Sequence, residues 1–196
     1  MKINILGYVL IAFIIIICVK IYRESDTFNL KFIISDVDGN KYCVRERNKL
    51  TLAADLLANT TQTLKDLVVS LYEKYPDRAN VKRLKEGFNP KKIYETLPTS
   101  EYTAYSENKG EKLAFCLNTD KVNNQLIDQN TLIFVAIHEL AHIATKSVGH
   151  TQEFWNNFKF LLDEAVDINL YKPVDYKKKH QPYCGMDITD NPYFDL

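Results

Sequence analysis

The chain carries no excess of charge. Its 25 Lys and Arg balance 25 Asp and Glu. That counts against a general nucleic-acid binder, which would carry a basic surplus, although a local basic patch stays compatible with it. Cysteine is sparse. Cys18 lies in an apolar N-terminal run, and Cys43, Cys116 and Cys184 remain, an odd set with no C-x-x-C pair. This fits a reducing compartment, or one bridge with one free thiol, and disfavours a structural zinc site of Cys and His. Methionine occurs only at the start and at Met186. Histidine occurs four times, and three of the four, His138, His142 and His150, fall in the single stretch from Thr131 to His150.

Long apolar runs are lacking as well, with one exception. Ile5 to Val19 is almost unbroken and extends to Tyr22, close to the roughly 20 residues that span a bilayer. Lys20 and Arg23 can snorkel and Tyr22 can sit at the interface. A cleaved signal peptide would want a small-residue cleavage site, which Lys20-Ile21-Tyr22-Arg23 does not offer. The run has almost no polar face, so a single-span anchor is preferred to a buried core helix. Orientation cannot be read, because Lys2 and the terminal amine balance Lys20 and Arg23.

The histidine-bearing stretch contains His138-Glu139-Leu140-Ala141-His142, the H-E-x-x-H pattern of zinc hydrolases. On a helix, residues four apart share a face, so both imidazoles can reach one metal ion. Glu139 lies about 100° round the helix from His138. It is poorly placed as a ligand but within reach of a water at the metal. From Leu132 to Ala144 every residue except His138, Glu139 and His142 is apolar. A helix apolar all round is buried, and three ionisable groups there need a partner. A metal ion would serve. A third ligand must come from beyond the helix. Gly149 can stop the helix in a left-handed conformation and return His150 toward the metal. Glu153 and Glu164 are the rival ligands, and His150 is favoured because it directly follows the motif helix.

These residues, followed by Gly149-His150 and Glu153-Phe154-Trp155, resemble the minimal zincins of the WLM, Wss1 and SprT-like metallopeptidase group. The upstream run Asn108-Lys109-Gly110-Glu111-Lys112-Leu113-Ala114-Phe115-Cys116-Leu117 also resembles the strand before the motif helix in WLM domains. The resemblance covers roughly Tyr102 to Leu162. It implies a zinc peptidase fold, with His138, His142 and His150 as ligands to Zn2+ and Glu139 as base. The strand carrying Leu113 and Phe115 would line the cleft and pair with extended substrate by strand addition. Some zincins place a Met in a tight turn below the zinc; for Met186 ordinary packing is preferred to that role, and Tyr183 could donate to the oxyanion only as a similarly minor reading. The gap before His150 is longer than usual in WLM domains, and the N-terminal anchor is foreign to the DNA-repair members. Small membrane-anchored proteins of this pattern resemble metallopeptidases of large DNA viruses.

Elsewhere, Phe28 to Ser35 alternates as a strand, Asp38-Gly39-Asn40 marks a turn and Lys41 to Arg47 returns. Leu50 to Tyr75 reads as a long amphipathic backing helix, with Asn48 able to cap its start and Pro76 beyond its end. Asn59-Thr60-Thr61 is a glycosylation sequon, but lies mid-helix. Arg78 to Glu86 reads as solvated helix or loop. Tyr102 to Tyr105 and Lys112 to Leu117 form a hairpin. Thr151 caps a second helix to about Asp167, whose buried face is Phe154, Trp155, Phe158, Leu161, Leu162 and Ala165. Lys177-Lys178-Lys179-His180 reads as solvated.

The expected fold is α+β: a single zincin-like domain over residues 28–196, built from a small antiparallel sheet, a backing helix and the H-E-x-x-H helix. It follows a transmembrane anchor at 1–23 and a short linker at 24–27 that keeps it near the membrane. The expected function is a membrane-anchored zinc metallopeptidase acting on peptide or protein substrates, single-pass and compatible with a virion membrane. It contacts lipid through the N-terminal helix, and nucleic acid is not an expected partner. The alternatives are a non-catalytic membrane or virion protein with a structural zinc site, and a DNA–protein crosslink protease by family analogy.

Overall fold

The computed structural model describes residues 4–24, 30–97, 99–120 and 125–195. The first element is helix α1 (Ile5–Glu24). Its window Ile5–Tyr22 has a mean hydropathy of 2.7 and buries nothing inside the chain. Nearly all of the expected linker, and Phe28 of the first expected strand, lie outside the described residues.

Strands β1 (Leu30–Ile34) and β2 (Lys41–Arg45) form an antiparallel hairpin around Gly39, whose φ of 70° suits a residue without a Cβ. Ile33, rather than Phe32, is the β1 residue packed against the core, and Phe32 is exposed. Helix α2 (Leu50–Lys74) follows the expected periodicity and buries Ala53, Leu57, Leu64, Leu67 and Leu71 on one face. Its N-cap is Lys49, which makes no side-chain cap bond, so Asn48 is not the cap. Helix α3 (Ala79–Gly87) is less solvated than its charge suggests, because Val81 and Leu84 are buried.

The central sheet is mixed rather than antiparallel. Strand β3 (Ile93–Glu95) pairs in parallel with β5 (Lys112–Phe115), which pairs antiparallel with β4 (Ala104–Glu107), in the order β3-β5-β4. β3 gives no apolar alternation because its last residue is a buried carboxylate. Glu95 is ion-paired with the buried Arg47 and accepts the backbone N–H of Arg45 at 2.7 Å. Arg47 in turn donates to Asn118 Oδ1 at 2.7 Å, so one buried polar network joins β2, β3 and the chain beyond β5.

Helix α4 (Gln129–Ala144) runs through the middle of the core and packs on α2, α3 and helix α5 (Gln152–Asp167). Asp128 caps α4 by accepting the Thr131 N–H at 2.9 Å and the Thr131 hydroxyl at 2.7 Å. Thr151 caps α5, as its sequence position predicts, with its hydroxyl accepting from the Phe154 N–H at 3.4 Å. The C-terminal segment forms a small hairpin, β6 (Gln181–Tyr183) and β7 (Met186–Ile188), and a 3-10 turn at Pro192–Phe194. A disulfide between Cys116 and Cys184 ties this hairpin to the end of β5, leaving Cys18 and Cys43 as free thiols. Burial pushes the Cys43 thiol above its ordinary pKa.

Candidate active site

Helix α4 presents His138 and His142 from one face, and their ring centroids lie 5.0 Å apart. The helix ends at Ala144, before Gly149, and its C-cap is Thr145. Gly149 is therefore not the helix stop. It lies further along the loop with φ 82°, two residues before the cap of α5. That loop returns His150 to the pair. The His150 ring lies 5.0 Å from that of His138 and 4.9 Å from that of His142. His150 Nε2 stands 3.1 Å from His138 Nε2.

One nitrogen from each of the three imidazoles falls within 4.8 Å of the others. Among the described residues, no carboxylate or carbonyl partners these rings. Instead Phe154, fully buried on α5, packs against all three, with centroids at 4.8, 4.4 and 4.7 Å from His138, His142 and His150. Sequence periodicity marks Phe154 as core. Its service as a common plate under three imidazoles depends on the return of the His150 loop.

The electrostatics suit a cation. Burial, followed by the neighbouring His142 and His150, pushes the His138 pKa down to about 3. Burial, then His150 and Lys109, pushes His142 down to about 4. Both rings are neutral at pH 7, with lone pairs free for a metal. Three converging imidazoles form a donor set suited to zinc and also to copper, iron or nickel. The residues present therefore fit the metal that the H-E-x-x-H pattern implies. Glu139 is 5% exposed, and burial raises its pKa to about 8.

The two rival carboxylates are engaged elsewhere. Glu164 is buried and accepts from Lys74 Nζ at 2.7 Å and the Tyr75 hydroxyl at 2.6 Å, bracing α5 against the end of α2. Glu153 accepts the backbone N–H groups of Lys146 and Ser147 at 3.1 and 3.2 Å. Tyr183 is also committed, donating its hydroxyl to the Thr103 carbonyl at 3.1 Å, so it does not offer a donor to an oxyanion. Burial, then the nearby Glu139 charge, raises the Tyr183 pKa. Met186 is 51% exposed on the cleft rim, and its Sδ accepts from the Thr103 hydroxyl at 3.8 Å. It is a wall residue, since a buried packing position beneath the histidines would hide it from solvent.

The expected substrate strand is corrected. Leu113 and Phe115 lie on β5, which is paired on both sides, and both are fully buried. A strand with neighbours on both edges has no ladder to offer a third chain. The strand that lines the cleft is β4, paired only with β5, together with Tyr102 and Thr103 before it. The cleft has a volume of about 710 Å³ and contains His138, Glu139, His142 and His150. Phe134, Phe158, Trp155, Ile188 and Pro192 give it an apolar wall. Trp155, expected on the buried face of α5, is 39% exposed there.

Comparison with known proteins identifies the family. The chain belongs to the WLM domain family, whose model matches residues 69–192. An uncharacterized protein of Acanthamoeba polyphaga mimivirus is 31% identical over 164 residues, covering 82% of this chain and 83% of that protein. Relatives also occur in Invertebrate iridescent virus 3, 36% identical over 52% of this chain and 62% of the relative, and in Invertebrate iridescent virus 6, 40% identical over 31% and 35%. Among solved structures, a Wss1 mutant from S. pombe matches 52% of this chain and 87% of that one, at 24% identity and a TM-score of 0.34.

Proposed function

We propose that this chain is a zinc-dependent metallopeptidase held in a membrane by α1. The observation that carries this reading is the convergence of three imidazoles, two of them held neutral by burial, beside a buried carboxylate in a cleft large enough for a peptide. His138, His142 and His150 would hold the ion. Zinc there would supply Lewis acidity and lower the pKa of a bound water toward 7.

The chain's own groups account for the remaining chemistry. Glu139 takes the proton of the attacking water and delivers it to the leaving amine. Burial alone would keep this carboxyl protonated at neutral pH, whereas a divalent cation nearby favours the carboxylate and draws its pKa down toward the working range. In β4, Cys116 N bonds the Thr103 carbonyl, so ladder alternation leaves the N–H and C=O groups of Ala104 and Ser106 pointing to the unpaired edge. An extended peptide can add there, with its side chains against the Phe134 and Phe158 wall. The apolar wall also excludes water around the reacting carbonyl.

A structural zinc site would need no carboxylate at position 139, and burying one at a raised pKa would weaken the fold for no return. A DNA–protein crosslink protease is further from the observations, because the chain has no basic surplus and begins with an apolar helix. The test is Glu139→Gln in the full chain in detergent. It removes no ligand, so zinc stoichiometry should hold while peptide cleavage falls by roughly 100-fold or more. Intact zinc with unchanged cleavage would remove Glu139 as base. Intact zinc without cleavage in either protein would favour the structural reading.

A further inference from the structure

The gap between His142 and His150 is long, and a mobile loop would make a poor third ligand. The structure closes that gap from two sides. At the tip of the β4–β5 hairpin, Lys109 points its ammonium into the end of α4. Its Nζ donates to the carbonyls of His142 at 3.2 Å, Thr145 at 2.9 Å and Ser147 at 3.0 Å. An ammonium has three protons, and all three are used. The first carbonyl belongs to a histidine of the metal trio. The other two belong to the loop that carries His150, so one cation joins the two ligand-bearing segments, α4 and that loop.

The amides of the same loop are held by Glu153. Its Oε1 accepts Lys146 N–H at 3.1 Å, and its Oε2 accepts Ser147 N–H at 3.2 Å and the Ser147 hydroxyl at 2.9 Å. Arg83 completes the frame, donating to the Ala144 carbonyl at 2.8 Å and to Glu153 at 3.3 Å. The Ser147 and Thr151 hydroxyls then share a bond at 2.7 Å. Both backbone polar groups of Ser147 are satisfied by side chains from opposite directions, which fixes its peptide planes as no apolar contact would.

The position of Lys109 is also specified. Asn108, Lys109 and Gly110 have φ of 48°, 56° and 105°, a left-handed turn that aims Lys109 at the helix. A Cβ on Gly110 would meet the Gly87 carbonyl at 2.5 Å and Ile143 at 2.7 Å. A Cβ on Gly87 would meet the Lys109 carbonyl at 2.5 Å. The two glycines let the hairpin tip press onto the end of α3 and onto α4, so the ammonium starts from a fixed backbone.

We propose that Lys109 and Glu153 are positioning residues that hold the His142–His150 loop closed, so that His150 completes the metal site before the ion arrives. This rests on the three-histidine reading above and deepens it. Lys109→Met and Glu153→Gln each remove part of the clamp and touch no ligand side chain. In full-length protein in detergent, each should weaken zinc binding about 10- to 100-fold, the range for outer-sphere partners of metal ligands, measured by competition with a chromophoric chelator. In the metal-free protein, each should also speed hydrogen exchange at the amides of 146–150.

The discriminating measurement is the cycle with His150→Ala. Once His150 is gone, Lys109→Met should cause little further loss of zinc affinity, because the clamp then has no ligand to place. An equal loss in both backgrounds would show that Lys109 supports the fold in general and would overturn the proposal. So would unchanged zinc affinity with unchanged exchange at 146–150 in both single variants. If the unaltered protein takes up no zinc, the metallopeptidase reading fails by itself, and the exchange rates still decide whether the clamp exists.

Discussion

Removing the Cys116–Cys184 bridge should cost the fold about 4 kcal/mol. The two cysteines are 68 residues apart, and the loop-entropy relation gives about that value at 25 °C for a loop of this length. For a domain of this size, about 1 kcal/mol moves Tm by 2–4 °C, so loss of the bridge should lower Tm by roughly 10 °C. The structure also says where the loosening would be felt. Cys184 N–H bonds the Asn118 carbonyl at 2.9 Å, and Gly185 N–H bonds the Thr119 carbonyl at 3.1 Å. These bonds and the bridge hold the β6–β7 hairpin, which carries Met186 and Ile188 into the cleft wall.

The perturbation is Cys116→Ala with Cys184→Ala, which leaves no unpaired thiol behind, compared with reductant on the unaltered chain. Trp155 is the sole tryptophan and lines the cleft, so its fluorescence can follow unfolding and local loosening together. Alkylation and mass measurement should find two reactive thiols after denaturation without reductant and four after reduction, because Cys18 and Cys43 are free. Four thiols without reductant, or a Tm indifferent to both treatments, would refute the reasoning.

Stability of the metal-free protein should peak near neutral pH and fall on both sides. His138 and His142, depressed to about 3 and about 4 from an ordinary 6.5, bind fewer protons folded than unfolded, so their contribution is full above 6.5 and is lost as pH falls toward 4 and 3. Glu139, raised to about 8 from 4.5, binds more protons folded, so its contribution is full below 4.5 and is lost as pH rises toward 8. Calorimetry across pH 4 to 9 should show both limbs. Saturating zinc should flatten the alkaline one, and an alkaline limb unchanged by zinc would separate Glu139 from the metal. For the anchor, carbonate washing of a membrane fraction should leave the full chain in the pellet. Release, or an N-terminus beginning near Asp26, would replace the span with a cleaved signal peptide.

What the sequence made legible was local. His138 and His142 are one helical turn apart, so their shared face follows from periodicity alone. The buried face of α2 and the Thr151 cap of α5 follow from residues within a few positions of each other. What could not be read was set by distant pairing. Whether β5 or β4 is the open strand depends on β3, which arrives from earlier in the chain and pairs in parallel. β3 itself was hidden because Glu95 breaks the apolar pattern and is balanced by Arg45 and Arg47, some fifty residues upstream. The pairing of Cys116 with Cys184, rather than with Cys43, likewise depends on where the tail returns. Lys109 reads as an ordinary turn lysine until the hairpin tip is seen against the end of α4.

The same distinction explains why the two rival carboxylates are engaged away from the histidine trio although both sit on α5. A carboxylate one or two turns along a neighbouring helix has the right spacing for a metal, but its side chain goes to whichever partner is nearer. Glu164 meets Lys74 and Tyr75 at the end of α2. Glu153 meets the loop amides that directly precede its helix. With both occupied, neither Glu153 nor Glu164 neutralises the histidine trio, and its rings rest on the apolar plate of Phe154. A cation placed there would face three imidazole nitrogens in a cleft that Glu139 also lines. On the proposed reading ionised Glu139 would depend on the cation, because a buried carboxylate is costly in this apolar setting without one, whereas the three histidines would hold the ion without Glu139. That dependence separates a site made to ionise a buried acid from one made only to hold a metal, and it is why Glu139→Gln, rather than loss of any histidine, distinguishes the two.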